Sequence, residues 1–360
     1  MNKNNINDRR TYIVDCLEML PRTLAMMISQ YDYEIKGESQ ILTKGYNISW
    51  LSFFSSEIDR DKLSNKNDNL IVFCEKNSIH IFDLRCNKIV ETLIDNYNIS
   101  YCGIGLFDET VIYCTVQGQI VAWNKNTKDT KYLVCDYKEI GEKYNINIIH
   151  FKDKIIVGSL DGQIKIWNLS VKAEGRITRG SSSEGANPLS GGETKCEETV
   201  HLNDKLVSFD ILTDARIICA SSTKIKVWNI KKKLFDLEID YSRLLIGQVI
   251  AVDKLIAVIS RHEREIILYD SFTGKQISTL LCDLGCYWPS CMSALPNGNI
   301  VCTYGPLIKI FDPYSGICCQ SFCANGNGCI YRFKVINDGR IISCSSKENE
   351  NDDYLLRIWS

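Results

Sequence analysis

At 360 residues, with 45% hydrophobic and 24% charged side chains, the chain has ordinary globular composition and length for one large domain or two smaller ones. Its formal charge of −2 lacks the basic excess that neutralising a nucleic-acid backbone requires, and the longest lysine run, Lys231 to Lys233, reads as a solvated turn. Seventeen cysteines, an odd number behind a polar start with no secretory leader, and no apolar run of the roughly 18 residues a membrane span needs, predict reduced thiols and a cytoplasmic protein outside the membrane.

The first predicted elements are two short helices within Asp8 to Tyr33. Ile13, Cys16, Leu17 and Leu20 recur at i, i+3, i+4 and i+7, and Leu24, Met27, Ile28 and Tyr31 repeat that spacing. Pro21 separates the two and suits the first turn of the second, where its missing N–H costs nothing. Helices this short are marginal alone, so their stripes must pack on something. Next comes ESQILT, Glu38 to Thr43, with strand composition.

From there a period organises the chain. Seven strand-like segments end in an aromatic followed by a small polar residue: Phe82-Asp83, Trp123-Asn124, Trp167-Asn168, Trp228-Asn229, Tyr269-Asp270, Phe311-Asp312 and Trp359-Ser360. Successive polar members are 41, 44, 61, 41, 42 and 48 residues apart. A second β-branched run lies upstream of each pair, beginning at Leu70, Val111, Lys154, Arg216, Lys254, Asn299 and Arg340. Turn dipeptides such as Asp161-Gly162, Asn297-Gly298 and Asp338-Gly339 bound these runs. Further strands before and after make four per unit of about 42 residues, the signature of a propeller blade. The 61-residue interval holds a Gly/Ser-rich insertion, Val171 to Glu193, which reads as a flexible loop in the third unit's final hairpin. Ser346 to Asp353 lengthens a hairpin on the opposite, upper rim.

The expected fold is therefore all-β: a seven-bladed β-propeller over residues 37–360, preceded by a helical appendage over residues 1–36. Because the last unit ends with its third strand, an unpaired edge would be left, and the segment Glu38 to Thr43 is expected to fill it and close the ring.

Through these pairs and their spacing, residues 38–360 resemble the WD-repeat family. The pattern is degenerate, for no Gly-His pair occurs and Gly45-Tyr46 stands in the corresponding place before the first blade. Leu20-Pro21-Arg22-Thr23-Leu24, continuing to Ile28 and Tyr31, is similar over about 12 residues to the opening of an F-box. That second resemblance implies docking of Leu20, Pro21, Leu24, Ile28 and Tyr31 on a Skp-type adaptor of a ubiquitin ligase, with the propeller holding a substrate protein. The alternative for the same residues is a helical cap on the propeller's own face.

No residue is singled out as catalytic, cofactor-binding or metal-binding. Cys74, Cys114, Cys219, Cys302 and Cys344, with Gly158, read as one small-residue position in the second strand. Cys282, Cys286, Cys291, Cys318, Cys319, Cys323 and Cys329 crowd the C-terminal third, but span two blades without the convergent pairs of a zinc site. His80 and His150 read as strand residues, His201 as leading into a blade and His262 as a rim residue, none of them in a nucleophile motif. In the WD-repeat family, loops joining the second and third strands open on the same rim as those leading into the next blade. The resemblance thus places Lys224, Arg261, His262, Arg264, Tyr287 and Trp288 on a partner-binding rim. The expected function is a non-enzymatic protein-interaction scaffold, narrowed by the F-box-like segment to a ubiquitin-ligase substrate receptor. Alternatives are a structural subunit of a trafficking or RNA-processing complex, and a thiol metalloprotein or enzyme.

Overall fold

The computed structural model describes residues 39–44, 48, 50–53, 69–75, 77–94, 99–105, 110–115, 119–133, 147–151, 154–168, 196–241, 245–260, 263–281, 289–323, 329–336, 339–346 and 355–359. Among them there are 28 strands and no helix. The predicted helices within residues 8–33 and the insertion 171–193 lie outside the described residues.

A strand β1 (Ser39–Lys44) precedes the first blade. Blade 1 holds β2 (Trp50–Phe53), β3 (Leu70–Glu75), β4 (Ser78–Asp83) and β5 (Lys88–Ile94). Blade 2 holds β6 (Ile99–Gly105), β7 (Thr110–Thr115), β8 (Ile120–Asn124) and β9 (Thr130–Leu133). In blade 3 are β10 (Asn147–Phe151), β11 (Lys154–Gly158), β12 (Gln163–Asn168) and β13 (Glu198–His201). Blade 4 comprises β14 (Ser208–Ile211), β15 (Arg216–Ala220), β16 (Lys224–Asn229) and β17 (Leu234–Asp240). Blade 5 comprises β18 (Ile246–Val252), β19 (Leu255–Ser260), β20 (Glu265–Asp270) and β21 (Gln276–Leu281). Blade 6 follows with β22 (Pro289–Ala294), β23 (Ile300–Tyr304), β24 (Leu307–Phe311) and β25 (Cys318–Cys323).

These six sheets are each built from four consecutive strands; a further sheet is composite. It runs β26 (Ile330–Val335), β27 (Ile341–Ser345), β28 (Leu355–Trp359) and then β1, with Ser39 opposite Trp359 and Lys44 opposite Leu355. The innermost strands touch in order β2, β6, β10, β14, β18, β22 and β26, and β26 returns to β2. The sheets thus form a closed ring. Connections within a blade from first to second and from third to fourth strand open on one rim, here the lower; the remaining connections open on the upper rim.

The side chain of the polar member of each aromatic–polar pair caps the turn into the fourth strand in five of the blades. Asp83 Oδ1 accepts the Arg85 N–H, Asn124 Oδ1 those of Asn126 and Thr127, and Asn229 Oδ1 those of Lys231 and Lys232. Asp270 Oδ1 accepts from Phe272 and Thr273, and Asp312 Oδ1 from Tyr314. Such turns need Asp or Asn because only a short oxygen-bearing side chain reaches the backbone two residues on. Four residues after the cap, the chain turns left-handed at Asn87, Lys128, Lys233, Gly274 and Gly316. In blade 3 the residues following Asn168, up to residue 195, lie outside the described residues.

On the same lower rim, the turns from first to second strand place Gly298 and Gly339 at φ of 88° and 87°, and Ala215 takes the same place in blade 4 at φ 69°. In all three the left-handed residue donates its N–H three residues back, to Leu295, Ile336 and Leu212. A Cβ is penalised there and glycine is not. Ala215→Gly is therefore expected to stabilise the protein by about 1 kcal/mol, raising the melting temperature by roughly 2 °C. Calorimetry checks it; a lower melting temperature would contradict the strain.

Register corrects the reading of the cysteines. Counted from the residue opposite each aromatic, Cys219 and Cys302 stand two places on, whereas Cys74, Cys114, Gly158 and Cys344 stand three places on. Successive strand residues face opposite sides, so this single step decides which blade each one meets. Cys219 and Cys302 pack on the preceding blade, against Ile164 and Leu268 among others. Cys74, Cys114 and Cys344 pack on the following one, against Trp123, Trp167 and Phe73. At Gly158 a Cβ would come within 2.5 Å of Leu206 and 2.6 Å of Phe209 in the approach to blade 4.

The same register explains what became of the repeat's polar network. In the last blade Trp359 Nε1 donates to Ser343 Oγ at 2.9 Å, fully buried. Val157 and Cys219 occupy the matching positions for Trp167 and Trp228, and neither indole N–H has a partner among the described residues. Blades 3 and 4 have exchanged that hydrogen bond for apolar packing.

Candidate protein-interaction site

The upper rim around blade 4 is shaped by close contacts between connections. Gly162 sits at φ +84° in the turn between β11 and β12, where a Cβ would run into the Asp204 carbonyl, and its own carbonyl accepts the Leu202 N–H at 2.9 Å. Only glycine lets the two segments meet there. The turn between β15 and β16 is braced alike: Thr223 and Ser222 carbonyls accept the N–H groups of Tyr241 and Ile246 at 2.8 and 3.0 Å. Leu202, Asn203, Asp204, Cys219, Ser221, Lys224 and Lys226 line the resulting cleft, of about 240 Å³.

Charge in this cleft is organised by strand pairing. Lys224 Nζ lies 2.6 Å from Glu238 Oε1 and 3.2 Å from Asp240 Oδ1, and Lys226 Nζ lies 3.3 Å from Glu238 Oε2. The Lys224 bond, then that of Lys226, holds the Glu238 carboxyl below its usual range; Glu238, then Asp240, raises the Lys224 ammonium. Exposed pairs of this kind add little stability. Their consequence is a fixed pattern of alternating charge at the mouth of the cleft.

Nothing in the cleft is poised for covalent chemistry. Burial pushes the Cys219 thiol far up, so it stays protonated and unreactive. No three His, Cys, Asp or Glu side chains converge on a metal-sized site among the described residues. His80 is a buried histidine, stacked 5.1 Å from Phe73 and 3.1 Å from Thr92 Oγ1, with its pKa lowered by burial. His150 lies on β10, and His201 ends β13, in the outer strand of blade 3, instead of leading into blade 4.

Of the rim residues expected from the sequence, Lys224 lines the cleft and Arg264 stands half-buried just before β20. Arg261, His262, Tyr287 and Trp288 lie outside the described residues, as do Leu20, Pro21, Leu24, Ile28 and Tyr31. Sequence reasoning missed Asn203, Asp204 and Lys226, whose meeting depends on the approach of blade 3 to blade 4. It also missed Tyr241, whose hydroxyl donates to Glu263 at 3.3 Å beside Arg264. The one available signal was position, since residues 202–207 and 241–245 both join a fourth strand to the next first strand.

No family model and no curated protein matches this sequence. Among solved structures the chain is similar to one described as the crystal structure of the WD40 beta propeller domain of Doa1, with a TM-score of 0.60 and 16% identity. The match covers 90% of this chain and 97% of that chain. At that identity the likeness speaks for the fold alone, and the fold is the β-propeller.

Proposed function

We propose that this protein is a non-enzymatic protein-interaction scaffold that holds its partner on the upper rim. The observation that carries this reading is the blade 4 cleft, whose charged side chains stand on strands and whose walls are braced by backbone hydrogen bonds. A binding surface held on rigid elements loses little entropy when a partner arrives. WD40 propellers generally mediate protein–protein contacts, which supports the same reading. The twelve cysteines whose side chains are described are free thiols, in keeping with a reducing, cytoplasmic setting.

The rim residues Lys224, Arg261, His262, Arg264, Tyr287 and Trp288 are proposed to contact the partner. Combined substitution of Arg261, Arg264 and Trp288 by Ala is expected to weaken partner capture at least tenfold, roughly 1.4 kcal/mol, with an unchanged circular dichroism spectrum. Quantitative affinity purification measures it. Undiminished capture by the folded triple variant would move the binding surface off this rim.

The narrower proposal is a substrate receptor of a ubiquitin ligase, with Leu20, Pro21, Leu24, Ile28 and Tyr31 meeting a Skp-type adaptor. It is supported by the sequence of residues 20–31 alone. The same purification from cells, with and without residues 1–36, separates it from a structural subunit of another complex. Skp and cullin peptides present with the full chain and lost on truncation would favour the ligase.

A further inference from the structure

We propose that the residues before Ser39 dock, through the apolar side chains of Ile13, Cys16 and Leu17, on the lower rim of blades 5 and 6. This surface is separate from the upper rim. A repeated turn sets it apart from the other blades. Blades 1, 2, 4, 5 and 6 share one capped turn, and its third residue is Arg85, Asn126, Lys231, Phe272 and Tyr314 in order. The turn geometry is satisfied by Arg, Asn or Lys, so the turn itself does not demand an aromatic, although one face of Phe272 lies over Arg216 at 4.2 Å. Yet Phe272 and Tyr314 are 59% and 58% exposed.

Neighbouring side chains extend the apolar character. Ile277 and Ile317 are 51% and 63% exposed beside those turns. The two turns adjoin: a Cβ on Gly316 would touch Leu280 of β21, and the Tyr314 hydroxyl lies 3.3 Å from Asp253 of blade 5. The outer strands differ too. In blade 4 the outer strand carries Asp236, Glu238 and Asp240, whereas β21 (QISTLL) and β25 (CCQSFC) carry no charge. Charge on an outermost strand normally keeps other chains away, and no described strand pairs with the outer side of β21 or β25. Isolated apolar side chains on a surface need no explanation, but a band across two adjacent blades does.

The chain itself supplies the occupant. Ser39 pairs with Trp359, the last residue of β28, so the described part of β1 begins at the lower rim of the composite sheet. Blade 6 is the neighbour on that side, and Trp359 stacks 5.3 Å from Phe322 of β25. Leu17 and Ser39 are 22 positions apart in the chain, a reach of up to about 75 Å when extended. The three apolar side chains therefore have the length of tether they need, and water disfavours them.

Native cysteines provide the test, for Cys16 is one of the three and Cys318 and Cys319 are exposed at the start of β25. The full-length reduced protein is treated with a short bismaleimide, and the linked peptides are identified by mass spectrometry. A Cys16 link to Cys318 or Cys319 is expected as the main Cys16 product, within one chain when isotopically light and heavy protein are mixed. Ile13→Asp with Leu17→Asp should reduce its yield at least fivefold; both residues lie outside the adaptor-docking set, so loss of adaptor binding is a separate outcome. Phe272→Ser with Tyr314→Ser should do the same in a folded protein, and the Ile13/Leu17 pair serves if that variant does not fold. Removal of residues 1–36 should speed hydrogen exchange in β25. No Cys16 product, a main link to Cys86 of blade 1, links between light and heavy chains, or yields unchanged in the Ile13/Leu17 variant would each overturn the proposal.

Discussion

Deletion of residues 38–44 is expected to lower the melting temperature by on the order of 10 °C, while deletion of residues 1–36 shifts it by only a few degrees. β1 is the outer strand of the composite sheet, and without it β28 becomes an edge. Leu42 is buried among Leu356, Ile358 and Cys344, and its removal from that cluster costs about 2 kcal/mol. The lost ladder bonds add roughly 1 kcal/mol each, so the deficit reaches about 5 kcal/mol. Two further consequences follow from topology. The composite sheet would hold three strands, and the exposed edge of β28 would invite pairing with another chain. Thermal unfolding of the two truncations side by side decides the matter, with light scattering to detect aggregation. Equal melting temperatures would show that the ring holds without its closing strand.

Arg216→Ala is expected to destabilise the protein by about 3 kcal/mol, the largest effect of any single charged residue on the lower rim. Its guanidinium is the hub between two blades. Nε donates to Asp214 Oδ2 at 2.8 Å within blade 4, while Nη1 and Nη2 donate to the Ser271 carbonyl and hydroxyl of blade 5 at 2.7 and 3.2 Å. Phe272 covers the guanidinium at 4.2 Å, and only 7% of the side chain is exposed. Alanine would leave the Ser271 carbonyl without its donor and open a space under Phe272. Arg216→Lys should recover little, because one ammonium cannot reproduce three directed bonds on a planar group. Arg85 is the control. It makes a 2.7 Å pair with Asp83 at a matching rim but is largely solvent-exposed, and Arg85→Ala should leave the urea midpoint unchanged. Similar midpoint shifts for the two alanine variants would mean that Arg216 does not staple the blades.

Side-chain bonds to main chain join the inner strands in the same manner. Asp210 Oδ2 accepts the Ala251 N–H at 2.8 Å, and the Gln248 amide exchanges two bonds with the Met292 main chain at 2.8 and 3.1 Å. Burial raises the Asp210 pKa, opposed by the Ala251 and Ile211 N–H groups. These contacts link blade 4 to 5 and blade 5 to 6 around the axis.

Local pattern was enough to place the strands, because each strand announces itself within its own hairpin. The aromatic–polar pairs marked the ends of third strands, and their Asp and Asn members cap turns through bonds spanning two or three residues, a reach that sequence order already contains. The strand composition of residues 38–43 likewise disclosed β1, and the unpaired end of the last unit indicated where it belongs. Register and inter-blade contact were decided only in the tertiary structure. One residue of hairpin length turns Cys219 toward blade 3 and Cys114 toward the blade after its own, and no composition of either strand reveals that step. The cleft was equally hidden, since Asp204, Ser221 and Lys226 converge only when two blades close against each other, and so was the pairing of Lys224 with Glu238 and Asp240. The physical division is one of range: turn and strand preferences act over a few bonds of one chain segment, whereas burial, charge pairing and side-chain direction depend on neighbours in other strands and blades, from 14 residues away for Lys224 and Glu238 to 55 for Arg216 and Ser271.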